Sequence, residues 1–150
     1  MDVGAGSACV GHRSFSERTG SYISHVAVVE CLISDLDAFQ AEVEALGGQL
    51  VRDAKQYRAY YGQQACAHKV TVNGAPHTAF EVGVVPTGAE GTFTLAYDAY
   101  DGICDRAFGS NLVNLRNGYL AHVAENQLRR KGYRVQRVEE GEQIRVSAVR

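Results

Sequence analysis

The two ends of the chain constrain its fold most, because each joins one strand directly to one helix. Residues 24–48 read SHVAVVECLISDLDAFQAEVEALGG, and residues 111–138 read NLVNLRNGYLAHVAENQLRRKGYRVQRV. The first segment begins with an apolar, β-branched run typical of a buried strand. The second begins with apolar residues at helical spacing. The sequence therefore predicts a strand-helix unit at the front and a helix-strand unit at the back.

The first unit contains a strand over residues 25–33 and then a helix. Ser34 and Asp37 have the spacing of a capping box, and Gly47 and Gly48 provide the stop. One face of this helix is predicted to be apolar: Leu36, Phe39, Val43 and Leu46.

The rest of the chain predicts short strands around a second helix. The extended segments cover residues 50–61, 66–72, 79–85 and 92–98, with turns at Asn73-Gly74 and at residues 86–91. The second helix covers residues 111–131, and a closing hairpin pairs residues 133–138 with 143–149. The predicted order is βα-ββββ-αββ. We expect an α+β fold in which two helices cover one face of a mainly antiparallel sheet with ferredoxin-like ends.

Composition indicates one globular domain. A chain of 150 residues can bury a core without the support of disulfides or metal ions. Its net charge of −2 gives no general attraction to nucleic acid or membranes. No apolar run is long enough for a bilayer, and the first twenty residues lack the apolar region of a signal peptide. Four scattered cysteines without a CxxC pair then predict reduced thiols.

The Gly- and Ser-rich residues 1–20 are interpreted as a tail or docking arm, and residues 24–150 as the domain. Val10 and Phe15 are the expected docking residues of this arm, because an aromatic side chain can fill a pocket on a partner.

Several segments carry a family resemblance through their order and spacing. After residues 24–48 these are RAYYGQQACAHKVTV, EVGVVPTGAEGTFTLAYDAYDG, NGYLAHVAENQLRRKGYRV and IRVSAVR. Together they resemble the hypothetical chloroplast reading frame thirty-five family, a domain of unknown function in algal plastids, cyanobacteria, other bacteria and phages. The resemblance implies the α+β fold for residues 24–150 and supplies no catalytic residue. It also implies a plastid stroma or a phage particle as alternatives to a cytoplasmic location.

Cys66 and His68 are the first candidate ligands, since residues two apart on a strand share a face. With His77, His122 or Cys104 they would form a mixed zinc site. Val70 and Val72 continue the same face, which favours a buried thiol beside a hydrogen-bonded histidine instead. We therefore expect no metal and no other cofactor.

A second candidate is a basic and aromatic stretch that could stack the bases of single-stranded RNA. Its residues are Arg52, Lys55, Tyr57, Arg58, Tyr60 and Tyr61. Tyrosines are also ordinary sheet formers, and the acidic chain argues against a large phosphate footprint. Nucleic-acid binding is therefore an alternative and not the favoured function.

The acidic residues around Gly102 are a third candidate. Asp98, Asp101 and Asp105 could hold Mg²⁺ or act as acid and base, or they could simply lead into the second helix. No GxSxG, HExxH or phosphate-binding loop accompanies them. We therefore expect a non-catalytic accessory or interaction domain that binds a protein or itself. The alternative is an assembly component, for example of a phage particle, that docks through its N-terminal arm.

Overall fold

The computed structural model describes residues 2–4, 26–141 and 143–149. Its elements run in the following order: β1 (Asp2–Gly4), β2 (Val26–Ile33), α1 (Leu36–Ala45), β3 (Gly48–Val51), β4 (Gln56–Ala59), β5 (Gly62–Ala65), β6 (His68–Val72), β7 (Val82–Pro86), β8 (Phe93–Asp98), α2 (Ile103–Phe108), a 3₁₀ turn (Ser110–Leu112), α3 (Val113–Arg130), β9 (Arg134–Glu140) and β10 (Gln143–Val149). The predicted α+β class with mainly antiparallel strands is confirmed.

The strands of the described residues form three sheets instead of the single sheet predicted. The central sheet has the order β2-β8-β7-β6-β3, and every printed pairing in it is antiparallel. The closing hairpin β9-β10 forms a separate sheet with β1, so the ferredoxin-like joining of both ends in one sheet is wrong. The third sheet is the hairpin β4-β5.

Helix α1 begins one residue later than predicted. Asp35, and not Ser34, is its N-cap, and the Asp35 side chain accepts the N–H of Ala38 at 3.1 Å. The backbone N–H groups of Ser34 and Asp35 instead donate to the hydroxyl of Tyr119 in α3. The predicted apolar face is confirmed, because Phe39 and Val43 are fully buried and Leu36 and Leu46 pack against the same core.

Helix α3 lies between two sheets, which explains why it is buried on more than one side. Leu115 and Tyr119 belong to the main core, together with α1, α2 and one face of the central sheet. Ala121 and Leu128 pack instead on the apolar side chains of β10, such as Val146.

The extended segment predicted over residues 50–61 is interrupted in the structure. The chain turns after β3 at Asp53, which has a φ of 59°, and its N–H donates to His68. The chain then enters β4, which forms a hairpin with β5. Helix α2 was also not predicted, since residues 103–108 were interpreted as part of a loop.

Hairpin β4-β5 covers the side of the central sheet opposite the helices. Tyr57 and Ala59 of β4 form a small buried cluster with Ala96 of β8. The Tyr57 ring lies so close to Gly83 of β7 that a β-carbon there would stand 2.4 Å from it. A glycine is therefore required at position 83, where the hairpin meets the sheet. The helices cover one face of the central sheet, and hairpin β4-β5 covers the other.

Candidate functional site

Three exposed tyrosines come together at the tip of hairpin β4-β5. Tyr60, Tyr61 and Tyr100 have exposed fractions of 45%, 59% and 65%. The Tyr60 ring lies 4.9 Å from Tyr61 and 4.9 Å from Tyr100 between ring centroids, and 6.5 Å from half-buried Phe80. We call these four residues the tyrosine cluster. Edge-to-face contacts of this kind are a preferred arrangement of aromatic rings.

The turn of the hairpin places two of these rings side by side. Ala59 pairs with Gly62, so Tyr60 and Tyr61 form a two-residue connection between β4 and β5. Gly62 has a φ of 102°, in the left-handed region that a residue with a side chain adopts only under strain. The sequence Tyr-Tyr-Gly therefore forms a tight turn that projects both tyrosines from the sheet.

Two carboxylates fix the backbone of the three segments that carry the cluster. Asp98 is fully buried, and its oxygens accept the N–H groups of Tyr60 and Tyr100, each at 2.9 Å. Asp101 accepts the N–H of Phe80 at 2.8 Å and that of Ile103 at 3.0 Å. Hydrogen bonds to carboxylates are among the stronger ones in proteins. The backbone at Tyr60, Phe80 and Tyr100 is therefore fixed by these two side chains.

The base of the hairpin is fixed as firmly as its tip. Arg58 donates its backbone N–H to the Glu81 carboxylate at 2.8 Å and accepts the N–H of Glu81 at 3.0 Å. Burial, and then the nearby Cys66 and Asp98, raise the pKa of the Tyr57 hydroxyl to about 12. Tyr57 is thus a neutral side chain inside the protein, and not part of the exposed cluster.

The six residues predicted to bind RNA do not lie on one surface. Tyr60 and Tyr61 are in the tyrosine cluster, whereas Tyr57 is buried. Arg52 reaches α1, where it donates to Asp37 at 2.8 Å, and also to Gln40. Of the two remaining residues, Lys55 is exposed and lies just before β4, and Arg58 is half-buried. Tyr100 and Phe80, which complete the cluster, were not singled out from the sequence.

The candidate metal ligands are separated in the structure. His68 uses Nδ1 to accept the N–H of Asp53 at 2.9 Å, and Cys66 Sγ donates to the carbonyl of Ala54. His122 contacts Glu42, and His77 lies in the loop between β6 and β7. Among the described residues, no three His, Cys, Asp or Glu side chains are grouped as a metal ion requires.

Each of the three acidic candidates for catalysis has a structural partner. Asp98 and Asp101 accept backbone N–H groups as described above. Asp105 accepts the hydroxyl of Tyr97 at 2.7 Å, and that hydroxyl accepts the N–H of Asn111 at 3.0 Å. Asn111 has a φ of 55°, so this chain of contacts stabilises an uncommon backbone conformation before α3.

A buried ion-pair network was also missed from the sequence. The Glu42 carboxylate in α1 accepts hydrogen bonds from both terminal nitrogens of Arg137 in β9, at 2.9 and 3.0 Å. It also contacts His122 Nδ1 at 3.0 Å. Arg137 also contacts Glu125 at 3.3 Å. Burial alone would raise the pKa of Glu42, but the hydrogen bonds from Arg137 and His122 outweigh it and hold the pKa below its ordinary value.

A cleft of about 550 Å³ lies beside this network and includes Glu42, Asn117 and Arg137 in its lining. The Glu42 carboxylate and both terminal nitrogens of Arg137 are already engaged with each other. The network therefore acts first as a junction between α1, α3 and β9. The sequence did contain one indication of this pair. Glu42 is a charged residue within the apolar face of α1, between Phe39 and Leu46.

The cysteines differ from the predicted four reduced thiols. Cys31 is disulfide-bonded, whereas Cys66 and Cys104 are free. Cys104 is fully buried, and burial, with the carboxylates of Asp101 and Asp105 after it, raises the pKa of its thiol to about 12. The expectation of a reduced thiol is therefore wrong for Cys31.

The expected docking residues of the N-terminal arm, Val10 and Phe15, lie outside the described residues. Within the described part of the chain, no helix has the length and apolarity needed to cross a bilayer. Comparison of the chain with protein-family models, curated proteins and solved structures finds no match in any of the three.

Proposed function

We propose that this chain is a non-catalytic interaction domain that binds a protein partner through the tyrosine cluster. One observation carries the proposal: the backbones of exposed Tyr60 and Tyr100 are fixed by the same buried carboxylate, that of Asp98. An aspartate is rarely found at a fully buried position unless its side chain accepts hydrogen bonds, and here it accepts these two backbone N–H groups. The buried Asp98 side chain therefore fixes the backbone at two exposed tyrosines.

Exposed tyrosines on a hydrogen-bonded backbone suit protein recognition for two reasons. Tyrosine is enriched among the residues that dominate binding energy, because it combines a large apolar ring with a polar hydroxyl. Rings that are ordered before binding also lose less conformational freedom when a partner arrives. The proposal does not require any cofactor.

The other functions are weaker because they lack such an observation. A catalytic role would need unengaged acid or base groups, whereas Asp98, Asp101 and Asp105 hold hydrogen bonds within the fold. An assembly role through the N-terminal arm depends on Val10 and Phe15, which lie outside the described residues. The resemblance to the hypothetical chloroplast reading frame thirty-five family stays a proposal. It is compatible with an interaction domain in the cytoplasm, a plastid stroma or a phage particle.

The test compares capture of partners from a lysate of the source organism. The bait is the whole chain, either unchanged or carrying Tyr61→Ser and Tyr100→Ser. Leu32→Ser is the matched control, because Leu32 is 62% exposed and lies at the end of β2 away from Asp98. We expect a protein that the unchanged and Leu32→Ser baits retain and the double variant loses. Equal capture by all three baits would contradict the proposal.

A further inference from the structure

Positive charge is concentrated at the end of α3 and the start of β9. Residues 126–138 hold five of the chain's 15 lysines and arginines and none of its 17 aspartates and glutamates. Two of the five, Arg129 and Arg137, form ion pairs with glutamates. The remaining three form what we call the basic patch: Arg130, Lys131 and Arg134.

The side chains of the basic patch are exposed and have no acidic partner among the described residues. Arg130 is the last residue of α3 and Lys131 is its C-cap, where the helix dipole favours a cation. Arg134 lies beyond the helix, as the first residue of β9, so the dipole does not account for it. Its partner across the hairpin, Val149, is uncharged. The positive charge of the patch is therefore uncompensated in the described part of the chain.

The residues around the patch are polar, which argues against a lipid surface as its partner. Gln127 of α3 and Gln136 of β9 are exposed, and Gln136 lies on the same strand face as Arg134. Val149, opposite Arg134, is the exposed large hydrophobic residue that pairs with the patch. A lipid surface holds a protein stably only when apolar groups or a lipid chain add to the attraction of charges, and one valine supplies little of this.

A nucleic-acid duplex has the charge density that three cations without an apolar anchor need. Its phosphates carry one negative charge per about 1.7 Å, and the counterions that lysine and arginine release drive binding. A flexible acidic peptide also loses conformational freedom when it becomes ordered. Single strands are bound largely by stacking of bases on aromatic rings, whereas the aromatic residue between the patch residues, Tyr133, is half-buried. A duplex is therefore the favoured partner.

We propose that the basic patch binds the phosphate backbone of double-stranded nucleic acid, independently of base sequence. The amide groups of Gln127 and Gln136 add hydrogen-bond donors for phosphate and sugar oxygens. The net charge of −2 does not oppose this contact, because salt screens carboxylates that lie more than about 8–10 Å away. The tyrosine cluster contributes no residue to the patch, so this function is additional to protein binding.

The test measures the fluorescence anisotropy of two labelled DNA duplexes of unrelated sequence as the whole chain is added. We expect both duplexes to bind equally well, and their affinity to fall roughly forty-fold between about 50 and 200 mM salt, as three phosphate contacts require. The double variant Lys131→Gln and Arg134→Gln should reduce the slope of log affinity against log salt by about two. The matched control is Lys55→Gln with Arg106→Gln, which removes two exposed cations elsewhere and changes the net charge equally. It should leave the affinity unchanged.

Four results would overturn the proposal. One is that neither duplex binds at the lower salt concentration, and another is that the two double variants weaken binding equally, since overall charge would then be the cause. The third is that polyglutamate displaces the duplex at an equal concentration of charge. The fourth is tighter binding to vesicles that contain phosphatidylserine than to either duplex. Tyr61→Ser with Tyr100→Ser should bind the duplexes as the unchanged chain does, which separates this function from protein binding through the tyrosine cluster.

Discussion

The buried carboxylate of Asp98 accepts the backbone N–H of Tyr60 at 2.9 Å across 38 residues of chain. Its second oxygen accepts the N–H of Tyr100. One side chain at the end of β8 thus connects the tip of hairpin β4-β5 to the turn before α2. The stability of the fold and the order of its most exposed aromatic surface therefore depend on the same residue.

Replacing this carboxylate by an amide should be costly. Asp98→Asn places an N–H₂ group opposite one of two backbone N–H donors, so we expect a loss of roughly 2–3 kcal/mol in the free energy of unfolding. Asp37→Asn is the control, because the Asp37 side chain is 92% exposed and its ion pair should contribute less than ~1 kcal/mol. Urea unfolding measures both. Equal small losses for the two variants would contradict the role of Asp98.

Tyr57 should make the protein sensitive to alkaline pH. Its pKa is raised to about 12 in the folded state, above the ordinary value of 10.0. The stabilisation from keeping this phenol neutral is complete below pH 10 and is lost as the pH rises toward about 12. Tyr57→Phe should therefore flatten the decline of unfolding free energy over this range. An unchanged decline, measured by urea unfolding at several pH values, would show that Tyr57 is not buried.

Gly118 provides a test of the Glu42–Arg137 junction. Alanine normally stabilises a helix relative to glycine by roughly 1 kcal/mol. At Gly118, however, a β-carbon would lie 2.5 Å from Glu42 Oε1, so Gly118→Ala must displace the buried carboxylate. We expect a net loss of about 1–3 kcal/mol, as for other overpacked sites. Gln127→Ala, at an exposed position of the same helix, should change stability by less than about 0.5 kcal/mol.

The thiols should fall into three classes in an alkylation experiment. Half-buried Cys66 should react slowly in the native protein, and fully buried Cys104 only when the protein unfolds. Cys31 should react in denaturant only after a reductant is added, because it is disulfide-bonded. Mass spectrometry of the peptides identifies each class. Alkylation of Cys31 in denaturant without reductant would contradict the disulfide.

The sequence predicted the elements whose pattern is local. The apolar face of α1, the strand predicted over residues 92–98 and the closing hairpin each depend on residue spacing that can be recognised within one segment. Helix α3 was predicted as residues 111–131 and is observed as Val113–Arg130. Its start is shifted because Asn111 and Leu112 both adopt positive φ values, at 55° and 58°.

The candidate site could not be predicted in the same way. The tyrosine cluster joins residues from the β4-β5 turn, the segment before β7 and the turn after β8, and no local pattern relates them. Strand β4 was interpreted as part of one strand over residues 50–61, and β5 was left between the predicted segments, because the turn at Asp53 depends on a hydrogen bond to His68, fifteen residues later. Contacts that are distant in sequence decide both features.

Photo-crosslinking from within the cluster tests the central claim most directly. A photoreactive phenylalanine analogue replaces Tyr61 in one protein and Leu32 in another, and both are irradiated in a lysate of the source organism. We expect a covalent adduct with one protein species from position 61 and none of that species from position 32. The same adduct pattern from both positions, or none from position 61, would contradict docking through the tyrosine cluster.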